Sequence, residues 1–373
     1  MNESDQELNQ AFLSQGGIYD LSQAEGGTYF KQLIQSFNNH LNRFKDPMLN
    51  LPDVHIGFIN NSTLNAVAGR YKSKYFIGIN VGTIMILDDL FNRMLSNPNI
   101  LIDYGDALSE TNMEKVFTVQ MTDYENLFNI NGEAALPKDK VRQNLARHFT
   151  AQALKFLVTH EYGHIVCGHL GYLDSLGLDQ SLKEADGFID NKINFTPIFS
   201  QTLELDADSI GIVYTIRSAQ YLLSIALPDE FKLFYKNLND TLSLWLFPIY
   251  SLWKLSDNNE PNSKEFHNLS HPSPSTRQYI TIATISTMLI SSPKDFKLDG
   301  EEIKRLVAAL HQTTLDVENA FSEISEQIFD DSLLMLNSEV IDHSILLQKN
   351  WNNVRPLLEP FAFVKLAPLD GAI

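Results

Sequence analysis

Thr159-His160-Glu161-Tyr162-Gly163-His164 stands inside the strongest helical pattern of a 373-residue chain. Leu145, Phe149, Ala153, Phe156 and Leu157 lead into it at helical spacing, so one long buried helix is expected over about 140–173. At 3.6 residues per turn the two histidines lie one turn apart and about 40° from each other around the axis. Two imidazoles so placed can hold one metal ion, and zinc suits them. Glu161 lies beside them, where a carboxylate can take a proton from a water activated by the metal.

A zinc hydrolase needs a third protein ligand and an open fourth position. Glu204, in Glu204-Leu205-Asp206-Ala207-Asp208, offers that ligand at the expected start of a second helix over about 202–226. Glu204 and Asp208 share a face one turn apart, so Glu204 could ligate while Asp208 accepts a hydrogen bond from a ligand histidine. An acidic helix N-terminus favoured by the macrodipole would look the same in isolation. Joined to the upstream helix, the ligand reading is preferred.

The neighbours of the motif read more plainly. Cys167, about 20° off the face of His160, reads as a small buried hydrophobe. On a continuous helix His169 points away from the metal, so it is structural or supports a ligand. Tyr162 and Tyr172 read as packing residues, and His55 and His148 as ordinary surface or core histidines.

Further out, the chain divides by pattern. Residues 1–50 read as a helical lead-in, with Leu33, Phe37, Leu41 and Phe44 at helical spacing and Pro47 as its stop. Residues 51–292 read as the core. It opens with a strand at 54–59 and a hairpin whose arms are 64–68 and 75–79, with the turn through 69–72. A helix follows from Val81. Residues 96–138 are polar and irregular and read as an insertion, while 255–276 read as a loop. Residues 293–373 form a helical C-terminal region, with patterns over 302–325 and 332–349.

Composition excludes some classes. The chain has 46 acidic and 28 basic residues, a formal net charge of −18, so nucleic acid is not expected as a partner. The apolar run 242–253 is too short to span a bilayer and holds Pro248, so no stable membrane insertion is expected. A single cysteine and an acidic N-terminus without an apolar leader fit a cytoplasmic protein.

The motifs together resemble the gluzincin metallopeptidases, within them the group that includes HtpX and the CAAX prenyl proteases. His160-Glu161-Tyr162-Gly163-His164 is similar to their zinc helix, and His169 falls on a frequent position of that group. Glu204 to Asp208 matches their Glu-x-x-Ala-Asp, and His271-Pro272 with Arg277 their His-Pro…Arg element. Asn65-Ala66-Val67-Ala68, followed by the hairpin, is similar to their Asn-Ala-Phe-Ala segment. The resemblance covers roughly 54–280. It departs from those relatives in lacking transmembrane helices, and 96–138 and the C-terminal region have no counterpart in it. A looser resemblance runs to phage-exclusion proteases of the Lit type, which implies a cytosolic protein substrate.

The expectation is therefore an α+β fold with a zincin-like catalytic core: a long HExxH helix, a small β-sheet and a second ligand helix, with helical extensions at both ends. Its expected activity is that of a zinc-dependent endopeptidase. His160, His164 and Glu204 bind Zn2+, Glu161 is the base, and Asp208 and Arg277 support the ligands. Asn65–Ala68 aligns an extended protein or peptide substrate at the sheet edge. Two roles stay open for His271: donor to the developing oxyanion, or loop brace, with Arg277 paired to a buried carboxylate. Two other functions also stay open, a zinc-binding interaction or sensor module with little turnover and a zinc hydrolase of a small molecule. One of the stretches 96–138 and 174–203 is expected to cover the cleft.

Overall fold

Val54–Ile59 (β1), Ala66–Tyr71 (β2), Lys74–Asn80 (β3) and Ser181–Lys183 (β4) form one sheet in a computed structural model, in the order β1-β3-β2-β4. The structure describes residues 3–22, 27–45, 48–111, 135–178, 181–183, 196–256, 266, 268–291, 296, 298–325 and 337–369. Ahead of the sheet lie α1 (Glu3–Ala11) and α2 (Gly27–Phe44). After β3 come α3 (Val81–Leu95), α4 (Lys140–Val166) and α5 (His169–Ser175). After β4 follow α6 (Pro197–Ser224), α7 (Asp229–Lys232), α8 (Leu238–Ser256), α9 (Pro274–Ser291), α10 (Gly300–Ile324) and α11 (Ser338–Leu358). The fold is mixed α+β, mostly helical around a small sheet.

The hairpin forms, but its turn is tighter than expected. β2 runs on through Gly69, Arg70 and Tyr71, and Tyr71 pairs with Lys74. Lys72 takes the left-handed backbone (φ 57°) that so short a connection requires. β1 joins parallel to the far side of β3. Ala66 and Ala68 face the main core, whereas Val67 faces a smaller cluster with Leu8, Phe12, Ile59 and Phe76. That two-residue alternation shows both faces of the sheet covered. The outer edge of β2, expected to receive a substrate, carries β4 antiparallel at Val67, Ala68 and Gly69.

Helix α4 lies at the centre, buried from Leu145 to Val166 apart from the exposed Arg147 and the partly buried Ala151 and Lys155. It packs on α6, α3, α8 and the sheet. It stops earlier than expected, at Val166. Gly168 then adopts φ 87°, a conformation glycine takes without penalty, and the chain restarts as α5. A side chain at Gly168 would collide with the backbone of Phe361 and Ala362, and Phe363 N–H donates to the Val166 carbonyl at 2.8 Å. The C-terminal segment thus caps the end of α4.

The second helix starts earlier than expected. Thr196 caps it by accepting from Phe199 N–H, and Pro197 occupies the first turn. Glu204 therefore sits about two turns inside α6, where the macrodipole reading of an acidic N-terminus no longer applies. Its main packing is against α4. The crossing is close because residue 163 is glycine: a Cβ there would lie 2.9 Å from the Ala207 Cα and carbonyl oxygen.

Residues 96–104 are more ordered than an irregular insertion. The carbonyls of Asn97, Ile100, Leu101 and Tyr104 wrap the guanidinium of Arg142; 112–134 lie outside the described residues. So do 179–180 and 184–195 of the second stretch expected to cover the cleft. The C-terminal helices begin at Gly300 and Ser338, the first with a capping box between Asp299 and Glu302. One hydrophobic cluster contains residues from Phe30 to Leu366, so the lead-in and the C-terminal helices share the core. Among the described residues no helix is long and apolar enough to cross a membrane; α8 runs through Pro248 and is buried along Leu244–Trp253.

Candidate metal centre

On α4, His160 and His164 turn their Nε2 atoms toward each other, 3.0 Å apart. Across the Gly163–Ala207 crossing, α6 brings Glu204 to them. Its Oε2 lies 3.2 Å from His160 Nε2 and its Oε1 3.6 Å from His164 Nε2. All three residues are buried. Nitrogen and oxygen ligands of one tetrahedral zinc stand about 3.3 Å from each other, so these spacings match a single ion between them.

The hydrogen bonds behind the rings fix which nitrogens carry protons. Asp208 can only accept, and its Oδ1 lies 2.8 Å from His160 Nδ1. The proton is therefore on Nδ1, and Nε2 presents a lone pair. His169 Nε2 lies 3.1 Å from Asp206 Oδ2, which likewise places its proton on Nε2. His169 Nδ1 is then an acceptor, 2.8 Å from His164 Nδ1, so His164 donates there and its Nε2 is also bare. Two lone pairs and a carboxylate thus converge on one point. Without a cation this is repulsive; with one it is a ligand set.

Charge supports the same assignment. Burial lowers His164 to a pKa of about 4, so it is neutral near pH 7 and able to ligate. Burial pushes the Glu204 carboxyl up, but His271, His164 and His160 outweigh it and hold the group well below the usual carboxylate range. Burial and the nearby Asp206 charge raise the Cys167 thiol well above its ordinary value, which keeps it protonated.

The other expected residues fall as follows. Glu161 is buried beside His160 on α4. Arg277, in the first turn of α9, grips Asp208 with two prongs, Nε to Oδ2 at 2.8 Å and Nη2 to Oδ1 at 2.7 Å. Its guanidinium also lies 4.9 Å from the ring centre of Trp253. His271 stands at the site with Nε2 3.5 Å from Glu204 Oε2, and its Nδ1 is 3.1 Å from Ser270 Oγ. Asn65 precedes β2, its N–H donating to Thr83 Oγ1 and its carbonyl accepting from Asn80 N–H. Ala66, Val67 and Ala68 lie in β2, which packs on α4. Tyr162 and Tyr172 pack on aromatic neighbours, Tyr214 for the first and Phe199 and Phe361 for the second. His148 is buried against Tyr235, and His55 pairs with Asp5.

Sequence reasoning left the role of His169 undivided and offered Asp206 only beside Asp208 as a carboxylate for Arg277, which takes Asp208, while Asp206 meets His169. On an unbroken helix His169 would face away; the turn at Gly168 folds it back onto His164. The signal was present in Cys167-Gly168-His169, a glycine placed where helices end in a left-handed residue. Cys167, His169 and Asp206 themselves form a second buried group whose ligand atoms lie within 4.8 Å of one another. In the proton arrangement above, His169 and Asp206 are already engaged in supporting His164. No protein-family model, no curated protein and no solved structure matches the chain.

Proposed function

We propose that the chain is a zinc-dependent peptidase with a zincin-like core. The observation that carries this is the convergence of His160 Nε2, His164 Nε2 and Glu204 on one point, with Glu161 following His160 on the same helix. A module that only bound the metal would not need a carboxylate at position 161.

His160, His164 and Glu204 would hold the ion. Zinc supplies, when bound, a lowered pKa for water and polarisation of a carbonyl. Glu161 takes the proton from the attacking water and passes it to the leaving amine. Asp208, held in place by Arg277, keeps His160 in the ligating tautomer; Asp206 does the same for His164 through His169. His271, across Glu204 from α4, is placed to donate a hydrogen bond to the oxyanion. The substrate is an extended protein or peptide segment, which would reach the edge of β2 by displacing β4. β4 lies antiparallel along that edge, as an added peptide strand would, and occupies it at residues 67–69.

Two measurements on purified protein test this: metal content, and cleavage of casein or a peptide library by wild type and by Glu161→Gln. The variant should keep its fold and one zinc per chain while losing about 10²–10⁴-fold in turnover. Loss of zinc in Glu161→Gln would make that residue structural, and retained cleavage would overturn the mechanism.

A further inference from the structure

A second site lies on the other side of α2. That helix buries Phe30, Leu33, Phe37 and Leu41 in the core. Its opposite stripe carries Gln32, Gln35, Asn39 and Arg43, and these line a cavity of about 350 Å³ that the buried His40 at the flank of the helix and Lys155 of α4 complete. Two cations and three side-chain amides thus face one space.

The distribution of charge around it is unlike the rest of the molecule. The chain carries 46 acidic residues, yet α2 has none over its 18 residues. α4 has none before Glu161, and α6 none after Asp208. Among the described residues no carboxylate lies within ion-pair distance of Arg43 or Lys155. Arg43 stacks on Tyr221, 4.0 Å from the ring centre. Burial first, and the Arg43 charge second, lower Lys155 to a pKa of about 8. A half-buried ammonium facing a guanidinium without a counter-charge is costly for a fold to keep. An anion between them would relieve that cost.

We propose that this cavity binds a small phosphorylated molecule. Phosphate sits between Lys155 and Arg43, and the hydroxyls of its body meet the amides of Gln32, Gln35 and Asn39. The guanidinium fork and the lysine point charge are the usual pair of phosphate contacts. A single carboxylate brings one negative charge to two cations, whereas a phosphate monoester near pH 7 brings about 1.5 to 2. An extended polyanion is disfavoured, because a chain of net charge −18 repels it everywhere outside this pocket. The site shares no residue with the metal centre, so it stands or falls apart from the peptidase reading.

Calorimetry on the full chain, with inorganic phosphate and glycerol 3-phosphate as probes and sodium chloride at matched ionic strength as control, should give saturable binding. Glycerol 3-phosphate should be the tighter of the two. Lys155→Gln and Arg43→Gln should each weaken binding about ten- to hundredfold, whereas Lys232→Gln, a remote surface change of the same charge, should not. Arg43 is exposed, so its variant keeps the test open if Lys155→Gln folds poorly. In a second readout, cyanate should carbamylate Lys155 ahead of the ordinary lysines at pH 8, and glycerol 3-phosphate should protect it, because a bound anion raises its pKa. Binding no stronger than the chloride control, or unchanged binding in both variants, would overturn the proposal.

Discussion

At the N-terminal end of α4, Arg142 donates to five backbone carbonyls: Leu95 from Nε, Leu101 and Tyr104 from Nη1, Asn97 and Ile100 from Nη2. Glu110 stands 3.8 Å from its Nε and accepts the N–H groups of Lys138 and Asp139 just ahead of the helix. At the other end, roughly 27 Å away by helix rise, His160 and His164 have their Nδ1 protons engaged and aim their Nε2 lone pairs at Glu204. Both clusters are buried and polar. In the first, donors meet acceptors and the cluster closes on itself. In the second, acceptors meet acceptors. A polar core that only stabilises ends in the first state; the second makes sense when a cation joins it.

The largest effect should come from the closed cluster. Arg142→Ala removes a buried guanidinium, strands five carbonyls and leaves the Glu110 charge without its partner. A loss of about 3–5 kcal/mol is expected in denaturant unfolding. A change below about 1 kcal/mol would mean that water replaces the guanidinium, and the contrast with the metal centre would lose its meaning.

The open cluster should answer to metal instead. Chelation should lower the melting temperature of wild type, because an ion that binds only the folded state stabilises it; at a free concentration of 1,000 times Kd the contribution is about 4 kcal/mol. Glu204→Ala should lose zinc by elemental analysis and show no further response to chelator. Full zinc occupancy in that variant would remove Glu204 from the ligand set. Cys167→Ser should leave zinc content nearly unchanged.

A smaller effect is expected one step behind the ligands. His169→Ala frees the Nδ1 side of His164, so the ring loses its fixed tautomer, and metal affinity should fall about 10–100-fold. Asp206→Asn should fall in the same direction by way of His169. Competition with a fluorescent zinc chelator measures both. Unaltered affinity in His169→Ala would reduce the pair to a packing contact.

Much of this centre was legible because it rests on short-range helix geometry. His160, Glu161 and His164 are set by one turn of helix, and Glu204 with Asp208 by another. Their meeting depends on a feature that spacing cannot express, the absence of a Cβ at residue 163 against Ala207. The Arg142 hub was invisible for a similar reason: its partners are backbone carbonyls, which every residue carries. The stretch 96–104 looked irregular because it has no periodicity, yet a buried cation orders it. The ends of α4 and α6 were misplaced where Gly168 and Thr196-Pro197, both ordinary punctuation, stood inside or ahead of longer apolar patterns.

Arg277→Lys tests whether the support behind His160 depends on shape or only on charge. The guanidinium contacts both oxygens of Asp208, and Oδ1 is also the atom that accepts from His160 Nδ1. A lysine keeps the positive charge but cannot span both oxygens. The carboxylate would then be free to rotate, and the bond to His160 would weaken without being lost. Zinc affinity should drop less than in His169→Ala, by about tenfold or under. Folding stability should fall by about 1–3 kcal/mol, since a buried charged hydrogen bond is replaced by a poorer one. Arg277→Ala should cost more on both counts, because it leaves Asp208 buried with its charge unmatched. If lysine matched wild type in zinc affinity and melting temperature, charge alone would be sufficient. The two-pronged contact would then carry no weight in holding His160.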